Sequence, residues 1–144
     1  MADLHEMSDE VLLTACLWAE ARGEPEDGQQ AVCNVIFNRV KKRMAPSVRD
    51  VILKPKQFSW TDPADVNFKK VFTAKTANPE SWARATKIAQ MALANTLDDL
   101  SNNADHYLNV ELTKRIRGGT LPSWVDLSKM TVVIGNHTFL NLRG

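Results

Sequence analysis

The sequence predicts an α-rich α+β fold, and three features indicate it. Apolar residues recur at the 3.6-residue spacing of an amphipathic helix within 11–19, 32–40 and 82–93. A polar, aromatic-rich stretch separates the second of these segments from the third. The tail, residues 130–142, is rich in β-branched residues around Gly135-Asn136, a pair typical of a tight hairpin turn. We therefore expect a helical core with a small β element and a C-terminal hairpin.

The first two helices have recognisable beginnings and ends. Ser8 or Asp9 can cap the first helix, and Gly23 followed by Pro25 ends it. The second helix is expected from about Glu26 to Arg43, before Pro46 breaks it. A short turn therefore joins two helices that are adjacent in sequence.

The remaining elements are shorter. Ser47 opens a short helix over 48–53, and residues 56–76 combine turn residues with short apolar pieces, which predicts loop or short strand. Asn78 followed by Pro79 opens the most clearly amphipathic helix. A polar loop over 98–103 then leads to residues 106–109, a short segment that can be extended.

Composition limits the possible classes of protein. The 144 residues carry a net charge of +1 and are 44% hydrophobic, which indicates one globular domain over residues 1–144. The sequence pI of about 7.8 does not predict a nucleic-acid-binding surface. Apolar runs are far shorter than the ~18 residues of a membrane span, so we expect no stable membrane insertion. The N-terminus lacks the basic and apolar regions of a signal peptide.

Two cysteines, Cys16 and Cys33, fall inside helical patterns. We interpret them as small core residues, while a disulfide between the two helices stays open.

Glu20 is the strongest candidate for acid chemistry. It lies on or next to the buried stripe, near the C-terminus of the first helix. Partial burial and the negative end of the helix dipole both raise the pKa of a carboxyl group, which suits a general acid. The alternative is a surface glutamate paired with Arg22. Glu24 is a possible second carboxylate across a cleft, or a charge that favours the start of the second helix.

Other catalytic motifs are not found. His5, His106 and His137 lack zinc-ligand spacing, and we expect no metal and no cofactor. The sequence contains no serine-hydrolase elbow and no nucleotide-binding glycine pattern. Aromatic side chains in predicted loops, beside amides and hydroxyls, suit the faces of sugar rings: Phe58, Trp60, Tyr107 and Trp124.

Several blocks, in order along the chain, resemble the SleB-type cell wall hydrolases, a family that includes spore-cortex-lytic enzymes and phage endolysins. The first block, Glu20-Ala21-Arg22-Gly23-Glu24-Pro25, is the most specific. Four later blocks also correspond, and the resemblance extends over about residues 10–140: Val35–Val40, Gln57–Trp60, Ala104–Asn109 and Ile134–Phe139.

The resemblance implies a lysozyme-like fold that cuts the β-1,4 bond between N-acetylmuramic acid and N-acetylglucosamine in peptidoglycan. It places the catalytic acid at Glu20 and cleft-lining, substrate-binding residues at Ser59, Trp60, Tyr107 and Asn109. The family often has two tyrosines before the asparagine, whereas here a leucine separates Tyr107 from Asn109.

One acid can suffice when the substrate supplies the nucleophile. The expected reaction is therefore lytic transglycosylation with 1,6-anhydro products. A muramidase with Glu24 or Asp62 as second carboxylate and a non-catalytic glycan-binding domain are the alternatives. We also expect a monomeric phage endolysin that stays in the host cytoplasm until a holin gives it access to the periplasm or cell wall.

Overall fold

The protein is described by a computed structural model that covers residues 3–144. Met1 and Ala2 lie outside this range, and they are part of the N-terminal segment in which no signal peptide is predicted. The described helices are α1 (Asp9–Ala21), α2 (Glu26–Lys41), α3 (Val48–Leu53), α4 (Val66–Lys70), α5 (Ala74–Ala77), α6 (Pro79–Leu93) and α7 (Val110–Ile116). The strands are β1 (His106–Leu108), β2 (Met130–Ile134) and β3 (His137–Leu140), and 3-10 turns occupy Leu4–Glu6, Ser59–Thr61 and Leu127–Lys129.

The helix boundaries follow the local capping signals of the sequence. The Ser8 side chain accepts a hydrogen bond from the Val11 amide at 3.2 Å and caps α1. Ser47 caps α3 in the same way, through the Asp50 amide. Pro25 precedes α2 with a φ of −56°, a value its ring enforces. The predicted positions of α1, α2, α3 and α6 are therefore confirmed to within two residues.

The core forms where α1 packs against α6, α3 and α2. Residues Leu12–Trp18 of α1 are buried throughout, so this helix passes through the centre of the molecule. The Trp18 and Trp82 rings lie 6.3 Å apart, and the Trp18 indole donates a hydrogen bond to Ser81. Cys16 and Cys33 are both buried with free thiols, as the core interpretation predicts.

The prediction of loop or short strand over residues 56–76 is wrong, because this stretch forms a 3-10 turn, α4 and α5. The Asp65 side chain caps α4 by accepting from the Asn67 amide at 2.8 Å. Helices of four or five residues are too short to display an apolar period, which explains the error. Helix α7 was also not predicted, and it buries no side chain.

The C-terminal hairpin is confirmed, and β1 completes a three-stranded antiparallel sheet in the order β1-β3-β2. Tyr107 on β1 pairs with Phe139 on β3. The hairpin turns at Gly135, where φ is +57°. The Glu24 carboxylate accepts from the Asn136 backbone amide at 2.9 Å and from its side-chain amide at 3.0 Å. Glu24 thereby fastens the hairpin to the junction between α1 and α2.

Candidate active site

Glu20 lies in the last turn of α1, where the buried helix emerges at the edge of the sheet. Its Oε1 accepts a hydrogen bond of 2.6 Å from the Tyr107 hydroxyl on β1. The Tyr107 ring is held in turn by His137, with centroids 4.9 Å apart, and by Phe139, at 5.9 Å. The Glu20 carboxyl group therefore links α1 to β1 of the sheet.

Burial raises the pKa of Glu20 above the ordinary value of a glutamic acid. The Tyr107 hydrogen bond and the Arg39 charge favour the carboxylate and lower the pKa, whereas the Asp65 charge raises it further. Burial is the largest of these effects, and the net shift favours the protonated form. Such a group can hold a proton at a pH where an exposed glutamate has lost it, as a general acid requires.

Glu20 opens onto a cleft of about 400 Å³. This volume suits a small-molecule or sugar-sized group. Charged, polar and aromatic side chains from five separate parts of the chain surround it: Glu20, Arg39, Lys56, Gln57, Phe58, His106, Tyr107 and Trp124.

Arg39 lines this cleft from α2 and is only 7% exposed. Its Nε donates to the Asp105 carbonyl at 2.8 Å, and its Nη1 lies 3.4 Å from the Gln57 side-chain oxygen. The guanidinium also lies over the Phe58 ring, 5.7 Å from the centroid. Arg39 therefore joins α2, the residue before β1 and the 56–58 segment around the cleft.

Asp105 is fully buried and supports the part of the cleft wall that His106 forms. Its carboxylate accepts from His106 Nδ1 at 2.8 Å, from Lys42 at 2.9 Å and from the Leu142 and Arg143 amides. Burial alone would raise the pKa of Asp105, but these hydrogen bonds lower it well below its usual range. The Asp105 carboxylate thus orients His106, whose ring centroid lies 5.5 Å from that of Trp124.

The expectation that Trp60 stacks on a sugar ring is wrong in this structure. Trp60 is 0% exposed and belongs to the hydrophobic core beside α1. Trp124, from the loop after α7, is the tryptophan that lines the cleft, and it is 45% exposed. Its ring can therefore supply the apolar platform that the sequence analysis assigned to Trp60.

Ser59 and Asn109 are not among the side chains that line the cleft. Ser59 is exposed at the start of the 59–61 turn. The Asn109 side-chain oxygen accepts from the Leu112 amide at 2.9 Å and caps α7. The structure therefore gives Asn109 a local structural contact where the resemblance implies a substrate contact.

The two alternative second carboxylates also have other partners. Glu24 is bound by Asn136, and its Oε1 lies 3.8 Å from His137 Nδ1. Asp62 is exposed, and its side chain accepts from the Ala64 amide at 2.9 Å. Neither lines the cleft, and Glu20 is the carboxylate that does so among residues 3–144.

Four cleft residues were not assigned as site residues by the sequence analysis: Arg39, Lys56, Gln57 and His106. A signal existed for Arg39, because it lies three and four residues after Ile36 and Val35 on the apolar stripe of α2. An arginine on an apolar stripe is unusual, because arginine is seldom fully buried unless its charge is paired. Lys56 and Gln57 come together with Glu20 only through the tertiary fold.

Within the described part of the chain, no group of three or more histidine, cysteine, aspartate or glutamate side chains is arranged to hold a metal ion. No helix of that part is both long enough and apolar enough to span a membrane.

Comparisons with known proteins agree with the resemblance. A sequence model of the family described as Cell Wall Hydrolase matches residues 23–140. A spore cortex-lytic enzyme of Oceanobacillus iheyensis is 28% identical over 138 residues, which cover 94% of this chain and 42% of the relative. A spore cortex-lytic enzyme of Bacillus subtilis is 37% identical over 67 residues, or 46% of this chain and 22% of the relative. The chain therefore spans less than half the length of these relatives.

Solved structures show the same fold. The catalytic domain of the germination-specific lytic transglycosylase SleB from Bacillus anthracis superposes with a TM-score of 0.63 at 25% identity, covering 94% of this chain and 98% of that domain. The catalytic domain of the Bacillus cereus SleB protein gives a TM-score of 0.61 at 26% identity, covering 92% and 89%. The predicted α-rich, lysozyme-like fold is therefore confirmed.

Proposed function

The chain belongs to the cell wall hydrolase family, and from this membership we propose that it cleaves the β-1,4 bond between N-acetylmuramic acid and N-acetylglucosamine in peptidoglycan. The observation that carries the proposal is Glu20, a carboxyl group of raised pKa that opens onto a cleft lined by charged, polar and aromatic side chains. Two relatives are named spore cortex-lytic enzymes, and the SleB domain of Bacillus anthracis is named a lytic transglycosylase.

In the proposed reaction, Glu20 donates its proton to the glycosidic oxygen as the C1–O4 bond breaks. The carbonyl oxygen of the 2-acetamido group stabilises the positive charge that develops at C1. The Glu20 carboxylate then takes the proton of the muramic 6-hydroxyl while O6 bonds to C1. The product is a 1,6-anhydro end, the glutamic acid is restored, and no water is consumed.

The engagement of Glu24 by Asn136 supports transglycosylation over hydrolysis, since a hydrolytic enzyme needs a second carboxylate facing the same bond. Mass analysis of digested peptidoglycan distinguishes the two reactions. Transglycosylation gives muramic ends one water lighter than reducing ends. Reducing ends alone would establish a muramidase.

Glu20→Gln tests the acid directly. The amide preserves the shape of the side chain but cannot donate a proton, so clearing of a peptidoglycan suspension should fall by about 10²–10⁴-fold with unchanged thermal stability. Glu111→Gln is the matched control, because Glu111 is an exposed residue on α7 outside the cleft. More than about a tenth of wild-type activity in Glu20→Gln would exclude Glu20 as the essential acid. Wild-type binding without clearing would establish a glycan-binding domain instead.

We further propose that the activity serves host lysis by a phage, that the protein acts as a monomer, and that it reaches the periplasm or cell wall from the host cytoplasm with the help of a holin. The support is the resemblance to a family that includes phage endolysins. Expression in a bacterial cytoplasm with and without a holin tests this role. Lysis that depends on the holin is expected, and holin-independent lysis would contradict the proposed route.

A further inference from the structure

Two cations line the cleft without a carboxylate partner. Arg39 and Lys56 both contribute to its wall, and neither makes an ion pair with another of the described residues. Lys42, the residue that follows α2, is by contrast paired with Asp105 at 2.9 Å. The cleft therefore contains positive charge that the folded chain does not neutralise by direct contact.

Arg39 is the more informative of the two because it is buried. Its Nε is engaged by the Asp105 carbonyl and its Nη1 weakly by Gln57, whereas its Nη2 donates to none of the described residues. Nη2 is not among the described nitrogen and oxygen atoms that are both sealed from solvent and unpartnered, so it remains free to donate to an acceptor that enters the cleft. The planar pair of terminal nitrogens matches a carboxylate group, which accepts two parallel hydrogen bonds.

Lys56 lies at a position where the backbone disfavours it. Its φ is +66°, in the left-handed region that glycine and asparagine adopt more easily than lysine. Lys56 is exposed and buries no apolar contact that would offset this strain. Lys56 also contributes to the cleft wall, where its charge is available to a ligand.

We propose that Arg39 and Lys56 bind a carboxylate of the peptide carried by the substrate, so that the protein prefers peptide-bearing glycan strands to neutral ones. This inference rests on the proposed function. Hydroxyl and N-acetyl groups of the sugars are uncharged and give two cations no counter-ion. The muramic residue, whose bond Glu20 is proposed to protonate, carries a peptide with free carboxylates on its lactyl group. The anion therefore enters the cleft attached to the reacting sugar.

The test compares two ligands by isothermal titration calorimetry. One is the N-acetylglucosaminyl-N-acetylmuramyl peptide, and the other is the same molecule with its carboxylates converted to amides. The wild-type protein should bind the carboxylate form roughly 3- to 10-fold more tightly. Lys56→Asn should reduce this ratio by about two- to threefold, since an exposed ion pair is worth a few-fold at most, and Arg39 should retain the rest of the preference. Its melting temperature should stay the same or rise, because asparagine suits a positive φ.

Arg43→Asn is the matched control. Arg43 has a φ of +61°, is exposed at the end of α2 and lies outside the cleft. The substitution removes the same charge from the same backbone conformation, and the ligand preference should stay at the wild-type value. Equal binding of the two ligands by the wild type would overturn the subsite. An equal loss of preference in Arg43→Asn would also overturn it, because net charge would then explain the effect. Arg39 is not substituted, since its Nε also holds Asp105.

The outcome is independent of catalysis, because the disaccharide contains no bond from muramic acid to a following N-acetylglucosamine. Selective binding by a protein that fails to clear peptidoglycan would support the subsite and reject the proposed activity. Clearing of peptidoglycan by a protein that binds both ligands equally would support the activity and reject the subsite.

Discussion

The Tyr107 hydroxyl lowers the pKa of Glu20 and so acts against burial, although it lies on a different element. At 2.6 Å from Oε1 it stabilises the carboxylate form, against the effect of burial. In the proposed reaction the same carboxyl group is first an acid and then a base. A hydroxyl that partly offsets burial keeps its pKa high enough to donate a proton and low enough to release it.

Tyr107→Phe tests this balance. Phenylalanine preserves the ring contacts with His137 and Phe139 but removes the donor, so the pKa of Glu20 should rise further. The protonated form then persists to higher pH, and the alkaline limb of the pH–rate profile should move upward. Loss of the bond should also lower activity roughly 3- to 100-fold.

Ser81→Ala is a suitable control for Tyr107→Phe, because it deletes a hydroxyl that bonds Trp18 outside the cleft. Its pH profile should match that of the wild type. An alkaline limb in Tyr107→Phe that does not move would show that Tyr107 acts on the substrate and not on Glu20.

Only some of the cleft residues could be predicted from the sequence. Glu20 could be proposed from its place near the end of an apolar stripe, and Tyr107 from the resemblance. Trp60 and Trp124 both occur in predicted loops, and periodicity cannot show which ring is buried. Trp60 is buried because the 59–61 turn packs against α1, whereas Trp124 remains 45% exposed. This difference arises from the tertiary fold.

Helix α7 depends on its cap more than on packing. It buries no side chain, and Asn109 supplies the acceptor for the Leu112 amide. Asn109→Ala should therefore destabilise α7 by about 0.5–2 kcal/mol, a typical cost of losing a cap. Because α7 adds little to the core, we expect the change as local opening, measured as faster hydrogen exchange at the Leu112 amide.

Asn109→Asp separates the cap from a substrate contact. Aspartate retains the acceptor oxygen and suits a helix N-terminus, so exchange at Leu112 should stay slow. It removes the amide donor that a glycan contact would use. Unchanged activity is expected from the cap geometry, and a large loss in this variant would restore Asn109 as a substrate-binding residue.

Elements with strong local signals were predictable and short ones were not. Helix α6 combines a proline at its first position with a long apolar stripe, and the β2–β3 hairpin has a Gly-Asn turn. Helices α4 and α5 have five and four residues, and such lengths are stabilised by caps and neighbours that the sequence does not reveal. The pairing of β1 with β3 is likewise a long-range contact.

At the scale of the whole molecule, the Asp105 carboxylate accepts hydrogen bonds from parts of the chain that are distant in sequence. It contacts Lys42 just after α2, the ring of His106 at the start of β1, and the Leu142 and Arg143 amides near the C-terminus. The same carboxylate therefore positions a cleft wall and holds the chain end. We expect its ionisation to affect the stability of the entire fold and not only the cleft.

Asp105→Asn and a series of urea unfolding measurements between pH 7 and pH 3 test this role. Hydrogen bonds hold the pKa of Asp105 in the folded protein below that of the unfolded chain, so the unfolded state binds the proton first as the pH falls. The stability contributed by Asp105 is thus complete at neutral pH and should decline below about pH 4. The free energy of unfolding of Asp105→Asn should be about 1.5–3 kcal/mol lower at pH 7, the worth of a charged hydrogen bond, and should decline less steeply in acid.

Asp98→Asn is the control, because Asp98 is exposed and the substitution changes the net charge equally. Parallel acid declines in wild type and Asp105→Asn would show that other carboxylates dominate the pH dependence.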